Sequence, residues 1–193
     1  MGTQAGAGPR PAAGSRSSLE RSATPVRLER PNAGHMREFL EAARRSRTLH
    51  RGWVSPPRDR DGYRQYLRRL RGATNDGFFV CLREGGLAGV VNVNEIVRGA
   101  FRSAYLGFYA FAPHQGRGYM SQGRRLVVAA MFRPGGLHRL EANIQPTNSR
   151  SIALVKRLGF RREGYSRRYL KISGRWRDHE RWAITVEDWR GNE

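Results

Sequence analysis

His114-Gln115-Gly116-Arg117-Gly118-Tyr119-Met120, followed downstream by Asn148-Ser149-Arg150-Ser151 and Leu158-Gly159-Phe160, is the part of this 193-residue chain on which the fold turns. Gly116 and Gly118 let the backbone approach a ligand closely, and the residues after them read as the first turn of a helix, whose leading amides have no intrahelical partner. A pyrophosphate can supply the missing acceptors, with Arg117 or Arg124 adding charge nearby. The pattern is not the fingerprint of a doubly wound dinucleotide fold, because the third glycine is absent and the preceding strands read as antiparallel. Nor is it a P-loop, which requires Gly-Lys-Ser or Gly-Lys-Thr. Two glycines alone serve many strand-to-helix turns, so the reading rests on the order of both elements with strands between them.

Upstream of the loop the apolar residues alternate. Residues 78–83, 87–97 and 103–111 read as strands joined by Glu84-Gly85-Gly86 and Arg98-Gly99-Ala100, hence as successive antiparallel hairpins. Downstream, residues 119–132 form a helix whose Leu126, Val127, Ala130 and Met131 can cover a sheet, and Pro134-Gly135-Gly136 ends it. Residues 139–144 are a strand, 149–158 a helix, and 160–172 a strand turned by Ser173-Gly174 into 175–186. At the front, Val26-Arg27-Leu28 is a short strand, Asn32 caps a helix to about Arg47, and residues 58–71 form a second with Tyr63, Tyr66, Leu67 and Leu70 in one stripe. The order β-α-α-β-β-β-α-β-α-β-β describes an α/β (α+β) chain: a mixed, mainly antiparallel sheet flanked by helices.

Residues 1–24 are Gly, Ala, Pro, Ser and Arg with Leu19 as the one sizeable apolar group, too little to offset the entropy of ordering; a flexible basic tail is expected there, and a single domain over residues 25–193. The formal charge of +20 arises from 36 basic against 16 acidic residues, of which only Lys156 and Lys171 are lysines. Such a surface draws polyanions, whether RNA, a ribosome or an anionic cofactor, although arginine bias in the genome yields the same count. Cys81 is the only cysteine, which excludes an intramolecular disulfide and two-cysteine metal motifs and suits a reducing cytosol. The five histidines lack metal-ligand spacing, so no metal site is expected. No apolar run reaches the length of a membrane span, and a soluble cytoplasmic protein, monomer or homodimer, is the expectation.

The chain resembles the GNAT superfamily of acetyl-CoA-dependent N-acetyltransferases, and within it the ribosomal-protein-alanine acetyltransferases of the RimJ/RimL type. The resemblance runs from about Arg27 to Trp189. It is carried by Gly89-Val90-Val91-Asn92, Val97-Arg98-Gly99, Tyr105-Leu106-Gly107-Phe108, Gln115 to Met120, Asn148-x-x-Ser151, Leu158-Gly159-Phe160-x-x-Glu163-Gly164-Tyr165 and Trp176-Arg177-Asp178-His179.

The resemblance implies acetyl-CoA as co-substrate and a primary amine as acceptor, in first place the N-terminal alanine or serine of a ribosomal protein. It implies that Gln115, Gly116, Arg117, Gly118, Tyr119 and Met120 hold the pyrophosphate, and that Tyr109, Ala110 and Phe111 offer backbone groups to the pantetheine arm. Asn148 would bond the same arm, and Ser151, one helical turn later, would stand near the departing sulfur. Many members carry a tyrosine acid where this chain has Val155, which leaves Ser151 as replacement, though it also reads as a small packing residue. Asn143 stands where RimI-type relatives place a glutamate base, and is expected among the cofactor-binding residues. Glu95 and Glu141 are candidate bases acting through water, and both also read as solvated or ion-paired carboxylates. Asp178 and His179, on opposite faces of a strand, read as structural. Small amines including aminoglycosides remain an alternative acceptor class, and a non-catalytic RNA- or ribosome-binding module is an alternative from another class.

Overall fold

The computed structural model describes residues 25–189; the expected tail, residues 1–24, lies outside them. In chain order the elements are β1 Val26–Glu29, a 3-10 turn Ala33–His35, α1 Met36–Arg45, α2 Arg47–His50, α3 Arg60–Leu70, β2 Asp76–Leu82, β3 Leu87–Val97 and β4 Ser103–Ala110. Then follow α4 Tyr119–Phe132, β5 Arg139–Ile144, α5 Ser149–Arg157, β6 Arg161–Ile172 and β7 Arg175–Thr185. The strands form one seven-stranded sheet in the order β1-β2-β3-β4-β5-β7-β6. Every neighbouring pair is antiparallel except β4 and β5, and that parallel pair is the one whose connection contains α4, as a parallel crossover requires.

The alternation in the strands buries apolar side chains on both faces. On one face Val80, Val91 and Leu140 pack with Val127 and Val128 of α4 and Val155 of α5. On the other, Phe79, Val90 and Phe111 pack with Phe39 of α1 and Tyr63 and Tyr66 of α3. Phe39 lies at its centre, with ring centroids 5.0 Å from Tyr63 and 5.6 Å from both Phe79 and Phe111. Cys81 is buried in this layer, and desolvation pushes its thiol up to about 12. Among the described residues no helix is long and apolar enough to cross a membrane.

The first helix differs from expectation. In place of one helix from Asn32 there is a capped 3-10 turn, then α1, then the short α2 after a break at Ser46. Asn32 does cap, its side chain accepting from the Gly34 amide at 2.8 Å. Ser46 donates its hydroxyl to the Ala42 carbonyl at 2.7 Å, a back-bond that competes with the helical ladder and bends the chain. The same hydroxyl accepts from the Ala112 amide at 2.9 Å, so the bend is anchored to the segment that leaves β4.

Gly89 of β3 lies where β4 passes closely: a Cβ there would stand 2.5 Å from the Tyr109 carbonyl oxygen. That neighbour is backbone and cannot swing away. Gly89→Ala is therefore expected to cost about 1–3 kcal/mol, as overpacking does, read as a lower urea midpoint with an unchanged slope; an unchanged midpoint would show that the β3–β4 pair yields freely.

Candidate functional site

β4 is paired to β3 along almost its whole length, from Val97↔Ser103 to Gly89↔Ala110. Its pairing with β5 covers only Ser103↔Arg139, Ala104↔Leu140 and Tyr105↔Glu141. β5 instead follows β7 through Ile144↔Glu180. Beyond Tyr105 the two central strands diverge, and residues 106–109 line a cavity of about 860 Å³ together with Asn143, Asn148 and Ser151. Backbone groups on a strand edge need partners, so this edge is a ready template for an extended ligand. Trp53 and Pro56 of the α2–α3 connection and Leu170 and Ile172 of β6 supply apolar walls on the far side.

The polar lining follows from strand periodicity. Asn92 and Asn94 are same-face positions in the largely apolar β3, and both reach the cavity. Asn92 is buried, and its Oδ1 accepts from the Tyr66 hydroxyl at 2.9 Å. Glu95 falls on the opposite face by simple alternation. A register shift between Asn94 and Val97, with Glu95 at φ 49°, turns its side chain into the cavity instead. Asn143 of β5 holds its buried Oδ1 without a partner among the described residues. Asn148 caps α5, its Oδ1 accepting from the Ser151 amide at 3.2 Å, which leaves the Nδ2 donor for a ligand. Ser151, in the first turn of α5, stands half-buried on the same cavity.

The glycine loop lies beyond the end of β4, outside this cavity. Gly116 at φ +80° and Gly118 at φ +83° occupy the left-handed region, and a Cβ on either would meet nothing within 4 Å, so the concave backbone faces open space. Gly118 is the N-cap of α4 and no side chain caps that terminus. Gln115 and Arg117 are exposed, Tyr119 lies 6.2 Å from the His114 ring, and Met120 is buried beneath the loop against the β3–β4 pair. These residues fit a pyrophosphate: uncapped amides, no obstructing side chain, and an arginine within the loop.

Between loop and cavity the backbone is held by α2 and β3. His50 donates from Nε2 to the Ala110 carbonyl at 2.7 Å, and the Phe111 amide donates to the Ala88 carbonyl at 2.8 Å. Those two groups serve the protein, so the open part of β4 is residues 106–109, with Tyr109 at its end rather than at its start. Glu141 does not reach the cavity; it accepts from Arg139 Nε at 2.9 Å, and Arg139 also grips both oxygens of Glu163. That triad ties β5 to β6 at the root of the divergence. His179 is buried, shares a hydrogen bond with the Arg177 carbonyl at 2.9 Å, and lines the cavity. Asp178 faces away, accepting from the Tyr165 hydroxyl and the Arg168 amide. Sequence reasoning gave no site role to Asn92, Asn94, Tyr66 or His50. The two polar residues two apart in an apolar strand were a signal for the first pair; the others depend on contacts between distant segments.

Residues 26–161 match the model of the acetyltransferase (GNAT) domain. The chain belongs to the GNAT acetyltransferase family. A curated relative, the [ribosomal protein uS5]-alanine N-acetyltransferase of Escherichia coli, is 42% identical over 106 residues, 55% of each chain. The alignment thus spans about half the length of that relative. Among solved structures, the ribosomal-protein-S5-alanine acetyltransferase from Vibrio fischeri superposes with a TM-score of 0.76 at 25% identity, covering 88% of this chain and 97% of the other. Mycobacterium smegmatis RimJ in complex with CoA-disulfide superposes with a TM-score of 0.74 at 26% identity, covering 84% of this chain and 83% of the other.

In this GNAT member the two buried histidines near the cleft, His50 and His179, have their pKa values lowered, in both cases first by desolvation and against a backbone hydrogen bond. A lowered folded-state pKa means the unfolded chain binds protons more readily, so stability is complete above the ordinary histidine value of about 6.5 and declines as pH falls below it toward the folded values. The expected result is a fall in thermal midpoint between about pH 6.5 and pH 5 that His50→Gln makes shallower. An unchanged slope in that variant would remove His50 from the linkage.

Proposed function

We propose that this GNAT member transfers acetyl from acetyl-CoA to the α-amine of a protein N-terminus, alanine- or serine-first, by direct attack in a ternary complex. The observation that carries the reading is the divergence of β4 from β5, which leaves residues 106–109 open along a cavity holding Asn143, Asn148 and Ser151. Acetyl-CoA, when bound, supplies a thioester whose acyl carbon is open to a neutral amine. The amides of residues 115–120 take the pyrophosphate, and Asn148 Nδ2 donates to the pantetheine arm. The Ser151 hydroxyl then donates a hydrogen bond or a proton to the sulfur as it leaves. Glu95, turned into the cleft by its bulge, takes the amine's proton through water. An α-amine titrates near 7.7–8.0, so a weak base suffices. Holding both partners in one cleft supplies much of the rate.

The acceptor class follows from the lining. Among the described residues around the cavity, Glu95 is the one carboxylate and Arg69 the one guanidinium, beside neutral amides such as Asn75, Asn92, Asn94 and Gln145. A polyamine or aminoglycoside carries several positive charges and finds one partner here, inside a chain of net charge +20. A peptide N-terminus carries one charge and a row of amide groups that Asn and Gln can match. The names of the relatives and the exposed basic β6–β7 hairpin, with Arg167, Arg168, Lys171, Arg175 and Arg177 around Trp176, support a ribosomal protein acceptor met beside RNA in the cytoplasm. Residues 25–193 would act as one domain, as monomer or homodimer.

The test is thiol release from acetyl-CoA with Ala- and Ser-first peptides, lysine peptides, polyamines and aminoglycosides, each product weighed by mass spectrometry. N-terminal acetylation is expected; turnover confined to polyamines or aminoglycosides would reverse the acceptor assignment. Ser151→Ala is expected to lower kcat by about 10²-fold or more with CoA affinity retained, and an unaltered kcat would take Ser151 out of the chemistry.

A further inference from the structure

Among the described residues Arg124 is the largest fully buried side chain, at 0% exposure. It lies on the sheet-facing side of α4, where Met120, Val127, Val128 and Met131 are apolar. Its Nε donates to the Met120 carbonyl at 3.1 Å, and its Cζ stands 4.0 Å from the centroid of the Phe108 ring. Both terminal nitrogens, Nη1 and Nη2, are buried without a hydrogen-bond partner among the described residues. The charge that acts on it is of its own sign, Arg157 of α5; burial first and then Arg157 push its pKa down to about 9. Among the described residues no carboxylate compensates it, and an unpaired buried cation is strongly unfavourable. A leucine or methionine would fill this apolar stripe without that cost, so folding alone gives no reason for an arginine here.

Its position supplies one. A helical side chain leans back toward the N-terminus of its helix, and the bond to Met120 brings the guanidinium under the turn that carries the glycine loop. Phe108, on which it stacks, lines the cleft. Arg157 marks α5, whose first turn carries Ser151, on the remaining side. Arg124 therefore stands where β4, α4 and α5 converge, directly behind Phe108 of the cavity wall and one helical turn below the glycine loop. A planar guanidinium with unused donors is suited to phosphoryl or carbonyl oxygens.

We infer that Arg124 is a binding residue for the acyl donor, its two Nη groups donating to an acceptor oxygen that the described residues do not provide, either a phosphoryl oxygen of the pyrophosphate or an amide carbonyl of the pantetheine stem. This rests on the acyl-CoA reading above. It adds a contact inside the helix to those of the loop, and it makes the unliganded protein carry a desolvated charge that binding relieves.

The experiment is calorimetric titration of the wild type, Arg124→Met and Arg124→Lys with CoA and with pantetheine, alongside thermal unfolding of each unliganded protein. Arg124→Met is expected to unfold no earlier than the wild type and to bind CoA at least tenfold more weakly. A loss toward both ligands assigns the oxygen to the stem, and a loss toward CoA alone assigns it to the pyrophosphate. Undiminished CoA affinity in Arg124→Met overturns the inference while leaving the acyltransferase reading standing, all the more so if that variant also melts earlier, which would make Arg124 a core residue. A wild type that does not bind CoA overturns both. Should Arg124→Met fail to fold, Arg124→Lys decides on the same criterion, because it keeps the charge and stem but loses the fork.

Discussion

Three residues of parallel pairing, Ser103 to Tyr105 against Arg139 to Glu141, join the strands β1 to β4 to the strands β5 to β7. Each set is antiparallel and well paired within itself, so the break between them falls where one strand must choose its neighbour. β4 stays with β3, and β5 stays with β7. Divergence follows, and it converts the interior edge of a sheet, ordinarily satisfied on both sides, into a row of backbone groups that a ligand can complete. The site is thus built from secondary structure that is left unfinished on one side.

The two walls of that opening are fixed independently. On the β5 side, Arg139 is clasped by Glu141 and Glu163, and these charge-assisted bonds lift its pKa further, Glu163 foremost. On the β4 side, Ser46 and His50 reach from the bend between α1 and α2 to Ala112 and Ala110, just before the glycine loop. The loop is therefore positioned by a helix pair on the far face of the sheet, as well as by the helix it opens. Rigid walls matter because orientation contributes to rate only when the groups that orient are themselves held.

Much of this was legible in the chain. The bounds of β3 and α4 follow the change from two-residue to helical periodicity, and Gly118 as the last residue before α4 follows from its chemistry. The break at Ser46 was not legible, because the partner that makes a bend useful is the Ala112 amide, distant in sequence. Glu141 reads as a candidate base until Arg139, two residues away on the same strand face, is seen to occupy it. Arg124 was visible only as a charge near the loop, since the helical stripe drawn through Leu126, Val127, Ala130 and Met131 does not reveal that an arginine shares the buried face. The far walls of the cavity depend on the α2–α3 connection meeting the β6–β7 hairpin, where the Ser55 and Ser173 hydroxyls come within 3.5 Å, and no local pattern announces such a contact.

On the proposed function the acyl donor completes the open edge of β4. Amide hydrogen exchange, followed by mass spectrometry on the protein with and without acetyl-CoA, reads that edge directly. New protection is expected to concentrate in residues 106–109 and 115–120, with the β6–β7 hairpin tip unaffected. Protection confined to the hairpin or to β1, with residues 106–109 exchanging as before, would contradict it.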